Sequence, residues 1–382
     1  MSGTIPTQST PALVKREDLQ ALFDVLARHG YRILGPTMRD GAIVYGDLAQ
    51  AADLPTGWTD LQEAGKYRLE HNRDGALFGY HAGPSAWKKF LNPPSQQVWQ
   101  AKLKDSAFRA FDIVDEPLDN QKMAFIGVRP CDLRAIENQD RVFLGGPFVD
   151  PGYRARRENT FILVANCTSA GGTCFCDSLD TGPHADDGFD LSLTELIDDR
   201  RHVLLFEAGT AFGADILAEV PHTEAEAEDV LAAESATGRA RGEMGRSLDT
   251  RGLKELLQRS YDHPMWEQVA TRCLSCANCT MACPTCFCSN VEDVTDLAGT
   301  TSERWRKWDS CFALDFSYIH GGSIRASIYA RYRQWMIHKL SAWHDQFGTS
   351  GCVGCGRCIT WCPAGIDITE QARILQQGET SD

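Results

Sequence analysis

The sequence predicts an α/β N-terminal domain with a mixed, partly parallel sheet, followed by a small cysteine-rich domain that carries a helical insertion. Three observations predict it. Short apolar runs at 123–128 (MAFIGV), 160–165 (TFILVA) and 202–206 alternate with helical stretches, as expected of strands buried on both faces of a partly parallel sheet. The pattern C-x2-C-x2-C-x3-C-P occurs twice after residue 270. The character of the chain changes near Ser260, which places a domain boundary there.

In chain order, residues 1–16 read as a flexible tail, 17–260 as the α/β domain and 261–382 as the cysteine-rich domain, with an insertion at 289–351. A helix is expected over 17–29, where Leu19, Leu22, Phe23 and Leu26 recur at helical spacing. Strand-like runs follow at 42–45, 66–70 and 76–80. The last two flank Asn72-Arg73-Asp74-Gly75, which reads as a hairpin turn. Residues 81–120 show no clear period, and Pro93-Pro94 marks a loop. The acid- and alanine-rich segment 219–234 reads as a solvated helix. Within the insertion, 325–344 (RASIYARYRQWMIHKLSAWH) reads as one amphipathic basic helix. Residues 301–347 carry seven Lys/Arg against four Asp/Glu, whereas residues 1–300 carry 29 against 44. The helix has two compatible readings: it shields metal sites from water, or it docks an acidic partner through residues such as Arg331 and Arg333.

Composition narrows the function classes. A length of 382 residues suits two or three domains. With 43% hydrophobic and 24% charged residues, the chain is globular rather than disordered or collagenous. A net charge of −14 makes a general nucleic-acid binder unexpected. The first fifteen residues hold no apolar signal core, and no run of roughly 18 apolar residues suggests a membrane span. Fifteen cysteines in a chain without an export signal point to the cytoplasm, and to metal or redox chemistry rather than disulfides.

The repeated pattern comprises Cys273, Cys276, Cys279 and Cys283, then Cys352, Cys355, Cys358 and Cys362. It is the bacterial ferredoxin signature for [4Fe–4S] clusters, so the C-terminal part is expected to be a ferredoxin-like dicluster domain. Three thiolates two residues apart curl a loop around one face of a cubane, and the fourth cysteine reaches the other cluster. The expected sets are Cys273, Cys276, Cys279 with Cys362, and Cys352, Cys355, Cys358 with Cys283. Zinc knots usually use separated cysteine pairs instead.

Four further cysteines lie in the first half. Cys131 and Cys167 each follow a buried-strand candidate. If those strands are parallel neighbours, both emerge at the sheet edge where open α/β sheets place their sites. Cys174 and Cys176 follow within Gly171-Gly172-Thr173-Cys174-Phe175-Cys176, where the glycines would let backbone approach a bulky ligand. The four are expected to converge on a third [4Fe–4S] cluster. The plainer alternative is that they are small buried hydrophobes. For Cys286, Cys288 and Cys311, three roles stay open: another metal site, a fourth ligand to a cluster, or packing. His338 and His344 are six apart on the basic helix, which is not the spacing of a helical metal pair.

The chain has no G-x-G-x-x-G after a strand, no P-loop, and neither G-x-S-x-G nor H-E-x-x-H. The phrases RPCDL, DPGYRARRENT, GGTCFCDS, CLSCANCTMACPTCFC, WDSC and GCVGCGRCITWCP resemble the beta subunit of cytosolic NAD(P)-linked [NiFe] hydrogenases, or sulfhydrogenases, over roughly residues 129–367. The dicluster subunit of anaerobic sulfite reductase is a close relative. The resemblance implies an electron-transfer subunit that is not catalytic alone. It would link a flavin diaphorase subunit to the hydrogenase small subunit, in a complex with the nickel-containing large subunit. The rival expectation is a subunit of a sulfite, sulfur or polysulfide reductase, with catalysis near Cys286, Cys288 and Cys311.

Overall fold

The structure, a computed structural model, describes residues 10–81, 83–105 and 110–379. Its centre is an eight-stranded sheet in the order Thr223–Glu224, Ala12–Lys15, His202–Ala208, Leu191–Ile197, Thr160–Ala165, Met123–Val128, Arg32–Arg39, Ala42–Asp47. The four strands from Leu191–Ile197 to Arg32–Arg39 run parallel to their neighbours, and the flanking pairs are antiparallel. The sheet is therefore mixed and partly parallel.

The two apolar runs read from sequence are the middle of this sheet, and their period of two divides them between two cores. Ala124, Ile126, Phe161, Leu163 and Ala165 face one core, with the helices Leu19–Arg28 and Ala211–Ala218. Met123, Phe125, Ile162 and Val164 face the other, with Pro130–Phe143 and Pro151–Glu158. Helices on both faces explain why these strands are apolar at every position.

Several expectations need correction. Residues 12–15 of the expected tail form a strand against His202–Ala208; residues 1–9 lie outside the described residues. The hairpin expected around residues 72–75 is not formed. Lys66–His71 pairs instead with Trp58–Glu63, and 76–80 is no strand. Its backbone finds partners elsewhere. The buried Glu195 carboxylate accepts from Leu77 N (2.7 Å) and Phe78 N (3.0 Å), and the buried Arg129 guanidinium donates to the carbonyls of Phe78 and Tyr80. Two charged side chains thus replace a ladder that the apolar run alone would require. In the acidic segment the helix begins only at Ala227 and runs to Gly242.

Leu191–Ile197 went unread as a strand because Ser192, Thr194 and Glu195 interrupt its apolar pattern. All three are buried, and Asn166 Nδ2 donates to Thr194 Oγ1 at 3.0 Å.

The 289–351 segment is only partly helical. It opens with a hairpin, Ser289–Thr295 and Thr301–Trp308, that pairs with Ser95–Asp105 and so completes a four-stranded sheet with Ala110–Asp115. The segments on either side of residue 260 are therefore interlocked. After this come Ile328–Ile337, a π-helical stretch His338–Ala342 and Trp343–Phe347, in unbroken succession. Ser327 caps the start and Gly348, at φ +72°, ends it. Among the described residues, no helix is long and apolar enough to cross a membrane.

Candidate functional site

Both cysteine loops curl by the same device. Ser275 (φ +51°) and Ala277 (φ +65°) in the first occupy the positions of Gly354 (φ +62°) and Gly356 (φ +73°) in the second. Short helices, Asn278–Met281 and Arg357–Thr360, then hold Cys279 and Cys358. The second loop needs glycine for a further reason. A Cβ on Gly354 would stand 2.5 Å from Cys176 Cα, and one on Gly356 2.5 Å from Thr173 O. This loop is pressed against the N-terminal part, whereas Cys276 in the first is exposed. Backbone amides point at sulfur in both: Ser275 N lies 3.5 Å from Cys273 Sγ, and Gly354 N 3.4 Å from Cys352 Sγ.

Cys362 lines the same cavity as Cys273, Cys276 and Cys279, under a cover formed by Phe312, Tyr332 and Trp335. Cys283 acts electrostatically on Cys352, Cys355 and Cys358. The fourth cysteine of each loop thus lies near the other loop's three. All fifteen thiols are free. Burial pushes Cys352 up to about 12, and Cys279 and Cys358 well above the ordinary thiol range. Buried thiols with no disulfide partner fit iron, whose positive charge supplies what burial withholds from a thiolate. Among the described residues, no three His, Cys, Asp or Glu side chains converge tightly enough for a single ion. That holds for the ferredoxin-type loops too, and a multi-iron cluster needs its thiolates further apart than one ion does.

The strands Met123–Val128 and Thr160–Ala165 are parallel neighbours, so Cys131, in the first turn of Pro130–Phe143, and Cys167 leave the sheet at one edge. Cys131 and Cys176 are buried together against Val353 and Cys355 of the second loop. Cys174 lies within electrostatic reach of Cys167 and Cys355. Burial raises all four thiols, Cys174 to about 12. Of the two glycines before them, Gly172 acts differently than expected. A Cβ on Gly172 would lie 2.1 Å from Gln62 O, so this glycine admits the strand Trp58–Glu63 rather than a ligand.

Beyond the second loop lies the remaining trio. The Cys286 thiol hydrogen-bonds with Cys283, and Cys288 with Cys311. Lys339 Nζ stands 3.1 Å from Cys283 Sγ and 3.4 Å from Cys286 Sγ.

Three features escaped sequence reasoning. Lys88 and Lys339 are buried beside these thiols. Lys339 sits in the π-helical stretch between Ile337 and Leu340, and its place on an apolar stripe was the available signal. The third feature is an ion pair. Arg357 Nη1 and Nη2 donate to Asp132 Oδ1 (2.7 Å) and Oδ2 (2.8 Å), with side-chain exposures of 0% and 1%. Tyr45 OH adds a third donor to Asp132 at 3.0 Å. Each charged residue adjoins a cysteine, Asp132 following Cys131 and Arg357 preceding Cys358. Of the two arginines expected to dock a partner, Arg331 needs correction. Arg331 is buried and donates to Ser275 Oγ (3.3 Å) and to the Arg325 and Ala326 carbonyls. Arg333 stacks on Tyr261, 3.4 Å from the ring centroid. Tyr332, Trp335, Met336 and Leu340 join the core that holds the cluster loops.

Comparison with known proteins agrees with this geometry. Residues 272–366 match the 4Fe-4S dicluster domain family. The beta subunit of sulfhydrogenase 2 from Pyrococcus furiosus is 34% identical over 299 residues, which cover 76% of this chain and 83% of that protein. No solved structure matches the chain. A C-terminal dicluster domain, joined to a partly parallel α/β sheet and aligned over most of both lengths with such a subunit, settles the family: the chain belongs to the beta, iron–sulfur subunits of the sulfhydrogenases.

Proposed function

We propose that this chain relays electrons between a flavin-containing, NAD(P)H-linked diaphorase subunit and the small subunit of a [NiFe] hydrogenase, in the cytoplasm. Cys273, Cys276, Cys279 and Cys362 hold one [4Fe–4S] cluster, and Cys352, Cys355, Cys358 and Cys283 a second. Cys131, Cys167, Cys174 and Cys176 hold a third. When bound, each cluster takes up and passes on one electron.

The chain's own residues do the rest. Loop amides at Ser275 and Gly354 offset thiolate charge. Phe312, Tyr332 and Trp335 exclude water from the first site. The observation that carries the reading is the adjacency of the cysteine sets. Cys276 of the first is exposed, Cys352 and Cys355 of the second are buried, and Cys131 and Cys176 of the third pack against Cys355. A path with one site at the surface and the next ones packed loop against loop suits a relay between two protein partners. The test is reconstitution of the complex with and without the chain, following hydrogen-dependent reduction of pyridine nucleotide. Activity should vanish without it. Full activity in its absence, or robust sulfur or sulfite reduction by the purified chain with an artificial donor, refutes the relay.

A further inference from the structure

Twelve cysteines are taken up by the three sets above; Cys286, Cys288 and Cys311 are not. We propose that these three hold a further iron–sulfur cluster, an inference that rests on the iron–sulfur reading just given.

The first support is local geometry. The hairpin register pairs Ser289 with Trp308, and Asp309 N donates to Cys288 O at 2.9 Å. The base of the hairpin therefore delivers Cys288 and Cys311 to one place from either side, where their thiols meet. Cys286, two residues before Cys288, pairs its thiol with Cys283 and lies 3.4 Å from Lys339 Nζ, whose charge also reaches Cys288 and Cys311.

The second support is charge. Lys339 and Lys88 are 5% and 4% exposed. Lys339 Nζ has two thiols, Thr285 Oγ1 (3.0 Å) and Gly351 O (3.4 Å) around it. Lys88 Nζ donates to Thr280 O (3.2 Å) and Cys286 O (3.1 Å) and lies 4.2 Å from the Trp308 ring centroid. Among the described residues, neither ammonium has a carboxylate partner. Two ammonium groups buried close together need negative charge nearby. A thiolate-bound cluster on Cys286, Cys288 and Cys311 places it there, adding to the charge that Cys283 already brings to both ammonium groups.

The third support is an internal echo. Thr-Cys-Phe-Cys occurs at 173–176 and again at 285–288. Both copies are seated on the start of the second loop: Phe175 N donates to Gly354 O (2.9 Å), and Thr285 Oγ1 to Gly351 O (2.6 Å). With three thiolates, one iron of a cubane falls to a non-cysteine ligand, or the cluster has three irons.

The test is iron and acid-labile sulfide analysis of the full chain purified anaerobically, with paramagnetic resonance after reduction. Replacing Cys286, Cys288 and Cys311 together by alanine should remove three or four irons per chain while the ferredoxin-type signals persist. Unchanged iron with those signals intact overturns this site and leaves the relay standing. A chain with no iron at all overturns both. Should the triple variant fail to fold, the variant with Cys131, Cys167, Cys174 and Cys176 replaced by alanine decides. Retention of more than eight irons supports the site, and eight or fewer overturns it.

Discussion

Replacing Arg357 with leucine isolates the bond that joins the second cysteine loop to the sheet edge. The variant leaves the Asp132 carboxylate 1% exposed with only Tyr45 as a side-chain donor, and leaves Gly83 O without the Arg357 Nε donor at 3.0 Å. Removing one partner of a buried pair costs about 3–5 kcal/mol, because the other charge stays buried and uncompensated. At roughly 2 °C per kcal/mol in a chain of this size, the unfolding midpoint should fall by about 6–10 °C. The assay is anaerobic thermal denaturation of the holoprotein at one fixed scan rate, followed by loss of visible cluster absorbance, since irreversible unfolding makes the midpoint rate-dependent. Changing Asp132 to leucine as well removes the stranded charge, and apolar replacement of a whole buried pair is often neutral. The double variant should therefore recover most of the loss. A single variant within 1–2 °C of the wild type (about 1 kcal/mol), or a double variant as unstable as the single, would refute the argument.

Three other outcomes are expected. Gly354→Ala forces a left-handed residue with a Cβ 2.5 Å from Cys176 backbone, so it should disturb the resonance signals of both the second ferredoxin-type cluster and the N-terminal one. Identical spectra would show that the two sites are not in contact. Cys131→Ala or Cys174→Ala should each lower the iron content by about four per chain and spare the ferredoxin-type pair; unchanged iron in both returns these cysteines to packing. Lys339→Met removes a cation 3.1 Å from Cys283 Sγ. At an effective dielectric near 20 and a mean separation of ~6 Å, its charge is worth roughly 2–3 kcal/mol, or about 100 mV for one electron. A redox titration should find the second cluster's potential lower by that order, and no shift would contradict the assigned role.

Sequence patterns exposed those parts in which one residue type suffices for the chemistry. Cysteine spacing marked both loops, and continuous apolar runs marked the two central strands, because cluster ligation and two-sided burial each tolerate few alternatives. What stayed hidden depended on distant partners. Leu77 and Phe78 looked like strand residues because nothing local reveals that Glu195, 118 and 117 positions later, satisfies their amides. Arg331 looked like a surface cation because its acceptors, the carbonyls of Arg325 and Ala326 and the Ser275 hydroxyl, come from a turn and another loop. The strand Ser95–Asp105 showed no simple period because neither face enters a core: of residues 95–104 only Ala101 is buried, and its partner Thr301–Trp308 comes from a distant part of the chain. Charge and hydropathy describe a residue's needs, and tertiary placement decides who meets them.

The interlocking of the hairpin at 289–308 with Ser95–Asp105 bears on how the protein is made. A nascent chain emerges at about 5–20 residues per second, and with the ligand sets proposed above the sites become complete at different moments. The N-terminal quartet is whole once Cys176 has emerged. Both ferredoxin-type sets wait for residues 352–362, since each takes cysteines from that last stretch. Until then Cys273, Cys276 and Cys279 stand without their partner, and the strand Ser95–Asp105 has an open edge awaiting Thr301–Trp308. On those sets maturation would run from the sheet edge outward, and a ribosome stalled before Cys352 would leave both ferredoxin-type sets incomplete. For the same reason the C-terminal part is not a portable cassette: its second loop is seated on Thr173, Cys176 and Asp132, and expression from residue 261 onward would leave that seat behind.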